Sequence, residues 1–234
     1  MGKQIKGLLY FYAANFRFSV TIFWSILLFS LALCLVIAYI LLDFGNTKFA
    51  FIIPFAAYIN VAIVGFITVK EVIPFSLKLG ATRKNIFAAV GLFFLIFALF
   101  QSLVSNVIHV VTELFVDVIH LDEFMLIHPA QILSENSFIS RMIIDTTMML
   151  FILVFMYMIG LLFYRGGLLS GGIFVGILGI ALLFGVAEGW LIEYSMKLYQ
   201  TIDLMFFAQV FGSGIVLYVI TFLLIRNITT IKVR

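Results

Sequence analysis

The stretch VKEVIPFSLKLGATRKNIF, residues 69–87, decides the fold, because it gathers charge, proline and glycine between two long apolar runs. A short polar turn flanked on each side by about 20 apolar residues is the pattern of two membrane helices joined by a loop. The same alternation repeats outward in both directions. Apolar spans fall at residues 18–42, 49–69, 86–112, 142–164, 168–187 and 204–225. Each is long enough to cross a hydrocarbon core of about 30 Å. The expected fold class is an all-α polytopic membrane protein with six transmembrane helices, forming a single transmembrane domain over residues 1–234.

Composition agrees with that pattern. Hydrophobic residues make up 65% of the chain, charged residues 11%, and the mean hydropathy is +1.25. Soluble domains carry about a quarter charged residues. The spans use more than half of the 234 residues, which leaves no room for a soluble catalytic or nucleotide-binding domain. Cys34 is the single cysteine, so no intramolecular disulfide forms. The basic residues near the start do not make a cleavable signal, because the run that follows is too long for a signal core and lacks a small-residue cleavage pattern.

Charge sets the expected orientation. Lys3, Lys6, Arg17, Lys70, Lys78, Arg83, Lys84, Arg165, Arg226, Lys232 and Arg234 fall on the side of the termini, against Lys48, Arg141 and Lys197 on the other. Both termini are therefore expected in the cytoplasm. The acidic residues Asp43, Glu113, Asp117, Asp122, Glu123, Glu135, Glu188, Glu193 and Asp203 all map outside, where the longer loops are 113–140 and 188–203. The net charge of +3 thus reflects membrane orientation and gives no nucleic-acid signal.

Ahead of the first span, Ile5, Leu8, Leu9, Tyr12 and Phe16 recur at helical spacing, while Lys3, Lys6, Asn15 and Arg17 can reach water. This predicts an interfacial amphipathic helix over residues 1–17; the plainer alternative is a basic flank that only orients the first span. In loop 70–85, Pro74 opens a short helix, Gly80 ends it, and Thr82 caps the third span. Gly167 with Gly171, Gly172 with Gly176, and Gly185 with Gly189 are small-residue pairs four apart, suited to helix packing within one subunit or between two. Trp190, Tyr194 and Tyr199 suit an aromatic boundary belt, and WLIEYSMKLY (190–199) is short enough to dip into the outer leaflet as a re-entrant hairpin.

Chemistry-bearing motifs are sparse. The sequence contains no GxxxxGK[ST], HExxH, GxSxG or Cys-x-x-Cys, so the chain is read as no enzyme, without metal or cofactor of its own. His109, His120 and His128 are too widely spaced for a compact zinc motif. The third span carries a polar stripe instead: Gln101, Ser105, His109 and Glu113 stand four apart, and Ser102, Asn106 and Thr112 broaden that face. Such a stripe is costly against lipid and is expected to line protein or a wet cavity. Asp145 joins it as a candidate. Either it pairs locally with Arg141, four residues earlier, or it lines an outward vestibule.

Segment PFSLKLGATRKNIF after a second span, within this whole layout, resembles the membrane subunits of ABC-2-type ABC exporters of Firmicutes. The resemblance covers nearly the whole chain. It implies a coupling helix that docks on a separate ATPase, assigned to Glu71, Pro74, Phe75, Ser76, Leu77, Lys78, Leu79 and Gly80, with Arg83 and Lys84 flanking. It also implies a second permease subunit, identical or paralogous, and ATP with Mg bound by the partner ATPase. Within the family the chain is similar to exporters of amphipathic peptides, with other hydrophobic cargo equally compatible. Two rival readings stand beside it: a substrate-capture or peptide-immunity module without transport of its own, and an intramembrane enzyme built on His109, Glu113 and Asp145.

Overall fold

A computed structural model of the protein describes residues 2–41, 48–121, 124–132 and 137–226. Asp43, Asp122, Glu123, Glu135, Lys232 and Arg234 of the charge pattern lie outside the described residues. The elements run α1 (Gly2–Leu41), β1 (Phe49–Phe51), α2 (Ile53–Lys78), α3 (Arg83–Val118), β2 (Phe124–Leu126), a 3-10 turn (Pro129–Ile132), α4 (Phe138–Ala187), α5 (Trp190–Thr201) and α6 (Leu204–Arg226). Five of the described helices, α1, α2, α3, α4 and α6, are long and apolar enough to cross a membrane.

No separate interfacial helix precedes the first span: residues 2–17 are the beginning of a continuous 40-residue α1. The apolar periodicity is used, but its partner is protein. Leu8, Tyr12 and Phe16 are buried in the main core cluster with α2 and α3, and the Phe16 ring stacks on Phe93 at 5.5 Å. The phenol of Tyr12 bonds Ser76 Oγ at 3.0 Å, while Ser76 donates to the Val72 carbonyl at 2.7 Å. An amphipathic face cannot tell by itself whether lipid or another helix will cover it.

A separate coupling helix is likewise missing, because residues 70–78 are the last turns of α2, with Pro74 inside the helix. The predicted stop and start do hold. Gly80, at φ +71°, closes α2 with paired bonds, Gly80 N–H to the Leu77 carbonyl and Ala81 N–H to the Ser76 carbonyl, both 3.0 Å. Thr82 then caps α3, its hydroxyl accepting from Asn85 N–H at 3.3 Å.

The fourth and fifth expected spans form one 50-residue α4, interrupted at Gly167 (φ 67°, ψ −165°). That backbone region is open essentially to glycine alone. The bend is sharp enough for the Phe163 ring to fill the space in front of Gly171. Helix α6 runs beside the first half of α4 in the same direction, since Phe207 packs with Ile144 and Gly214 faces Phe151, each pair seven residues further on. The second half of α4 therefore carries the chain back.

Two further departures concern residues 49–51 and 190–201. Residues 49–51, expected at the start of a span, pair as a short parallel strand with β2, Phe49 opposite Phe124 and Phe51 opposite Leu126. Residues 190–201 form one helix, α5, and not a hairpin, with Trp190 and Tyr194 exposed.

Lipid tails are as apolar as leucine, so helices in a bilayer associate through close packing and polar bonds more than through hydrophobic burial. The closest approach here joins α2 to α4. A Cβ on Gly65 would lie 2.5 Å from the Leu153 carbonyl oxygen, and one on Gly160 would lie 3.0 Å from the Phe66 carbonyl oxygen. At one end of the bundle, Gln4 donates to the Gly80 carbonyl at 3.3 Å and Arg83 donates to the Arg226 carbonyl. The start of α1, the α2–α3 turn and the end of α6 therefore meet there.

Candidate functional site

Polar residues of α3 line a seam buried between helices. Gln101, Ser102, Ser105, Asn106, His109 and Thr112 are all buried. At mid-depth, Trp24 Nε1 donates to Gln101 Oε1 at 2.7 Å, and Gln101 Nε2 donates to Asn60 Oδ1 at 2.8 Å. This chain of bonds ties α1, α3 and α2 together, with each amide polarising the next.

About one and a half turns further out, Asp145 is fully buried and accepts from three elements. Tyr58 of α2 donates to Oδ1 at 2.6 Å, Asn106 of α3 donates to Oδ2 at 2.8 Å, and His128 Nε2 lies 3.2 Å from Oδ2. The Ala130 N–H donates to His128 Nδ1 at 3.0 Å, which assigns the proton to Nε2 and makes the imidazole a donor to Asp145. The turn after β2 is what delivers His128: Ile127 N–H bonds the Phe51 carbonyl at 3.0 Å, and Gln131 N–H bonds the His128 carbonyl at 2.9 Å.

Local pairing of Asp145 with Arg141 is not what forms. Arg141 instead reaches Glu113, with Nη1 3.4 Å from Oε2, while Asp145 turns inward to its three donors. Glu113, half exposed, thus stands at the rim, and Gln101, Ser105, Asn106, His109 and Asp145 lie inside. His128, Tyr58, Asn60 and Trp24 are additional members of the seam. Their spacing carried no signal, because they come from three separate elements, α1, α2 and the turn after β2.

Tyr58 and His128 also line a cleft of about 450 Å³ with Ile52, Phe55, Pro129 and Gln131. The carboxylate thus sits directly behind two of the cleft's polar walls. Beside it, Ser105 Oγ, Asn106 Oδ1 and both ring nitrogens of His109 have no hydrogen-bond partner among the described residues, although the His109 and His128 rings meet edge to face at 5.4 Å. Buried polar atoms left so cost about 1–3 kcal/mol each, which makes them the groups here with unused bonding capacity. Among the described residues, no three His, Cys, Asp or Glu side chains are grouped to hold a metal ion.

Of the expected coupling residues, three face away from any external partner or are engaged within the chain. Ser76 is buried, Glu71 accepts from Asn15 at 2.7 Å, and the Phe75 ring stacks on Phe11 at 4.0 Å. Pro74 and Leu77 are half-buried; Lys78, Leu79 and Gly80 form the exposed tip with Arg83 and Lys84. Among the glycines, Gly167 and Gly189 (φ +77°) make turns and do not sit on helix faces. Gly171 packs against Phe163, Gly185 against Trp190, and Gly172 and Gly176 face open space.

Comparison with known proteins finds no matching family, no similar curated protein and no similar solved structure.

Proposed function

We propose that this chain is the permease subunit of an ATP-driven exporter, working with separate ATPase subunits and a second permease copy or paralogue in a bacterial plasma membrane. The observation that carries the reading is the α2–α3 turn. It is firmly capped at both sides, exposes Lys78, Leu79 and Lys84, and stands at the end where Lys3, Lys6 and Arg226 also gather. With the basic end in the cytoplasm and α4 crossing twice about Gly167, the chain makes six crossings with both termini inside. Amphipathic peptides or other hydrophobic molecules are the cargo this greasy bundle suits.

In this reading the tip is the end of a lever and not a detached knob. From Lys78 to Tyr58 helix α2 is unbroken, 20 residues or about 30 Å. A displacement imposed on Leu79 by an ATPase is therefore delivered to Asn60 and Tyr58, the residues that hold Gln101 and Asp145. Breaking and remaking those bonds would distinguish two states of the seam, which is what alternating exposure of cargo requires. ATP and Mg stay in the partner, and this chain does no covalent chemistry.

Substitution at Phe75 would disturb the Phe11 stack as well as any interface, so the test uses Lys78→Glu with Leu79→Asp. Charge reversal and a carboxylate in an apolar cleft should abolish co-purification with the cognate ATPase and lower its stimulated ATP turnover at least tenfold. Unchanged assembly and turnover would sink the coupling role. The outer cleft over Asp145 favours a second reading, a substrate-capture or peptide-immunity module without transport. Ligand retained through purification in the absence of any ATPase would select it.

A further inference from the structure

A groove of about 600 Å³ runs between the first half of α1 and α3. Its α3 wall is aromatic and aliphatic: Phe93, Ile96, Phe97 and Phe100. On α1, Lys6, Tyr10, Ala13, Arg17 and Thr21 recur at intervals of four and three, so one helix face lines it over about 22 Å. Among the described residues, Lys6 and Arg17 are its two charged ones, and no acidic side chain lines it. The nearby carboxylate, Glu71, is held by Asn15 on the α2 side of α1, away from the groove.

We propose that this groove binds an anionic phospholipid, its phosphate held by Arg17, with Lys6 about 16 Å further toward the basic end adding to the attraction, and one acyl chain laid along Phe93, Phe97 and Phe100. Side chains on a helix lean toward its N-terminus, so both cations lean toward the basic end of the bundle, where headgroups of one leaflet lie. A single-sign pair of charges over an apolar channel matches an amphiphile with a negative head. The depth also fits, because one leaflet's hydrocarbon is about 15 Å thick.

Trp24, buried against Gln101 and outside the groove lining, lies about 5 Å of helix rise beyond Thr21, near enough to report on occupancy. In full-length Trp190→Phe protein reconstituted at one copy per nanodisc, bromine-labelled phosphatidylglycerol should quench Trp24. Labelled phosphatidylcholine should need roughly tenfold higher mole fraction for the same effect, since each basic residue near an anionic lipid contributes severalfold. Lys6→Gln with Arg17→Gln should remove the preference. Ala13→Phe, which fills the groove and leaves the charges alone, should reduce quenching by both lipids and covers the case in which the charge variant does not fold. Equal quenching by the two lipids would overturn the proposal. So would a preference that survives Lys6→Gln/Arg17→Gln, quenching relieved by an added amphipathic peptide, or a Trp24 shielded from both lipids once two copies share a disc.

Discussion

The Asp145 cluster allows a quantitative prediction. Tyr58→Phe removes one donor from a fully buried carboxyl group without changing the ring that lines the cleft. A hydrogen bond to a charged acceptor is worth about 1.5–3 kcal/mol in water-soluble proteins. Bonds between membrane helices average about 0.6 and reach about 1.7 kcal/mol, because the denatured chain in the bilayer also finds partners. The 2.6 Å length and the complete burial of Asp145 place this bond at the upper end, so Tyr58→Phe should cost about 1.5 kcal/mol.

Asp145→Leu alone should cost about 3 kcal/mol or more, since Tyr58, Asn106 and His128 each lose their acceptor. In that background Tyr58→Phe removes an orphaned hydroxyl and should be neutral or slightly stabilising. The coupling between the two substitutions is then about 1.5 kcal/mol, measured by a double-mutant cycle of unfolding in mixed micelles followed by tryptophan fluorescence. A Tyr58→Phe cost that is the same in both backgrounds would refute the reasoning, because it would show that the phenol contributes packing and not a bond to Asp145.

Other expectations follow from single positions. Gly65→Ala should destabilise the bundle by about 1–3 kcal/mol, because its Cβ meets the Leu153 backbone, whereas Gly176→Ala, facing open space, should leave one chain's unfolding unchanged. Gly80→Ala forces a side chain into a left-handed turn and should cost about 1–2 kcal/mol, with Gly80→Asn closer to wild type. Gly167→Ala should misplace the second half of α4, seen as altered labelling of a cysteine introduced at Leu168, and normal labelling would count against a glycine-specific bend.

Helical content, apolar runs and turn chemistry were legible from local sequence. Gly80 and Thr82 mark their helix ends because the groups they satisfy lie within four residues along the chain. The polar stripe of α3 was legible for the same reason, since period alone puts Gln101, Ser105 and His109 on one face. Gly167 and Gly189 misled, because a glycine four residues from another looks the same in a turn as in a helix face. The close-packed positions, Gly65 against Leu153 and Gly160 against Phe66 and Val69, are defined only once α2 meets α4.

By itself, the sequence determined that this is a membrane-type helical bundle with one strongly basic side, since length, hydropathy and charge are properties of segments taken singly. Only the tertiary structure decided what each face meets. It turned residues 2–17 from a membrane-surface helix into a strut against α2 and α3, joined the supposed coupling helix to α2, and gave Asp145 to Tyr58, Asn106 and His128 instead of Arg141. The physical reason is common to all three. A polar or amphipathic side chain requires a partner, but its own spacing specifies only the direction in which it points.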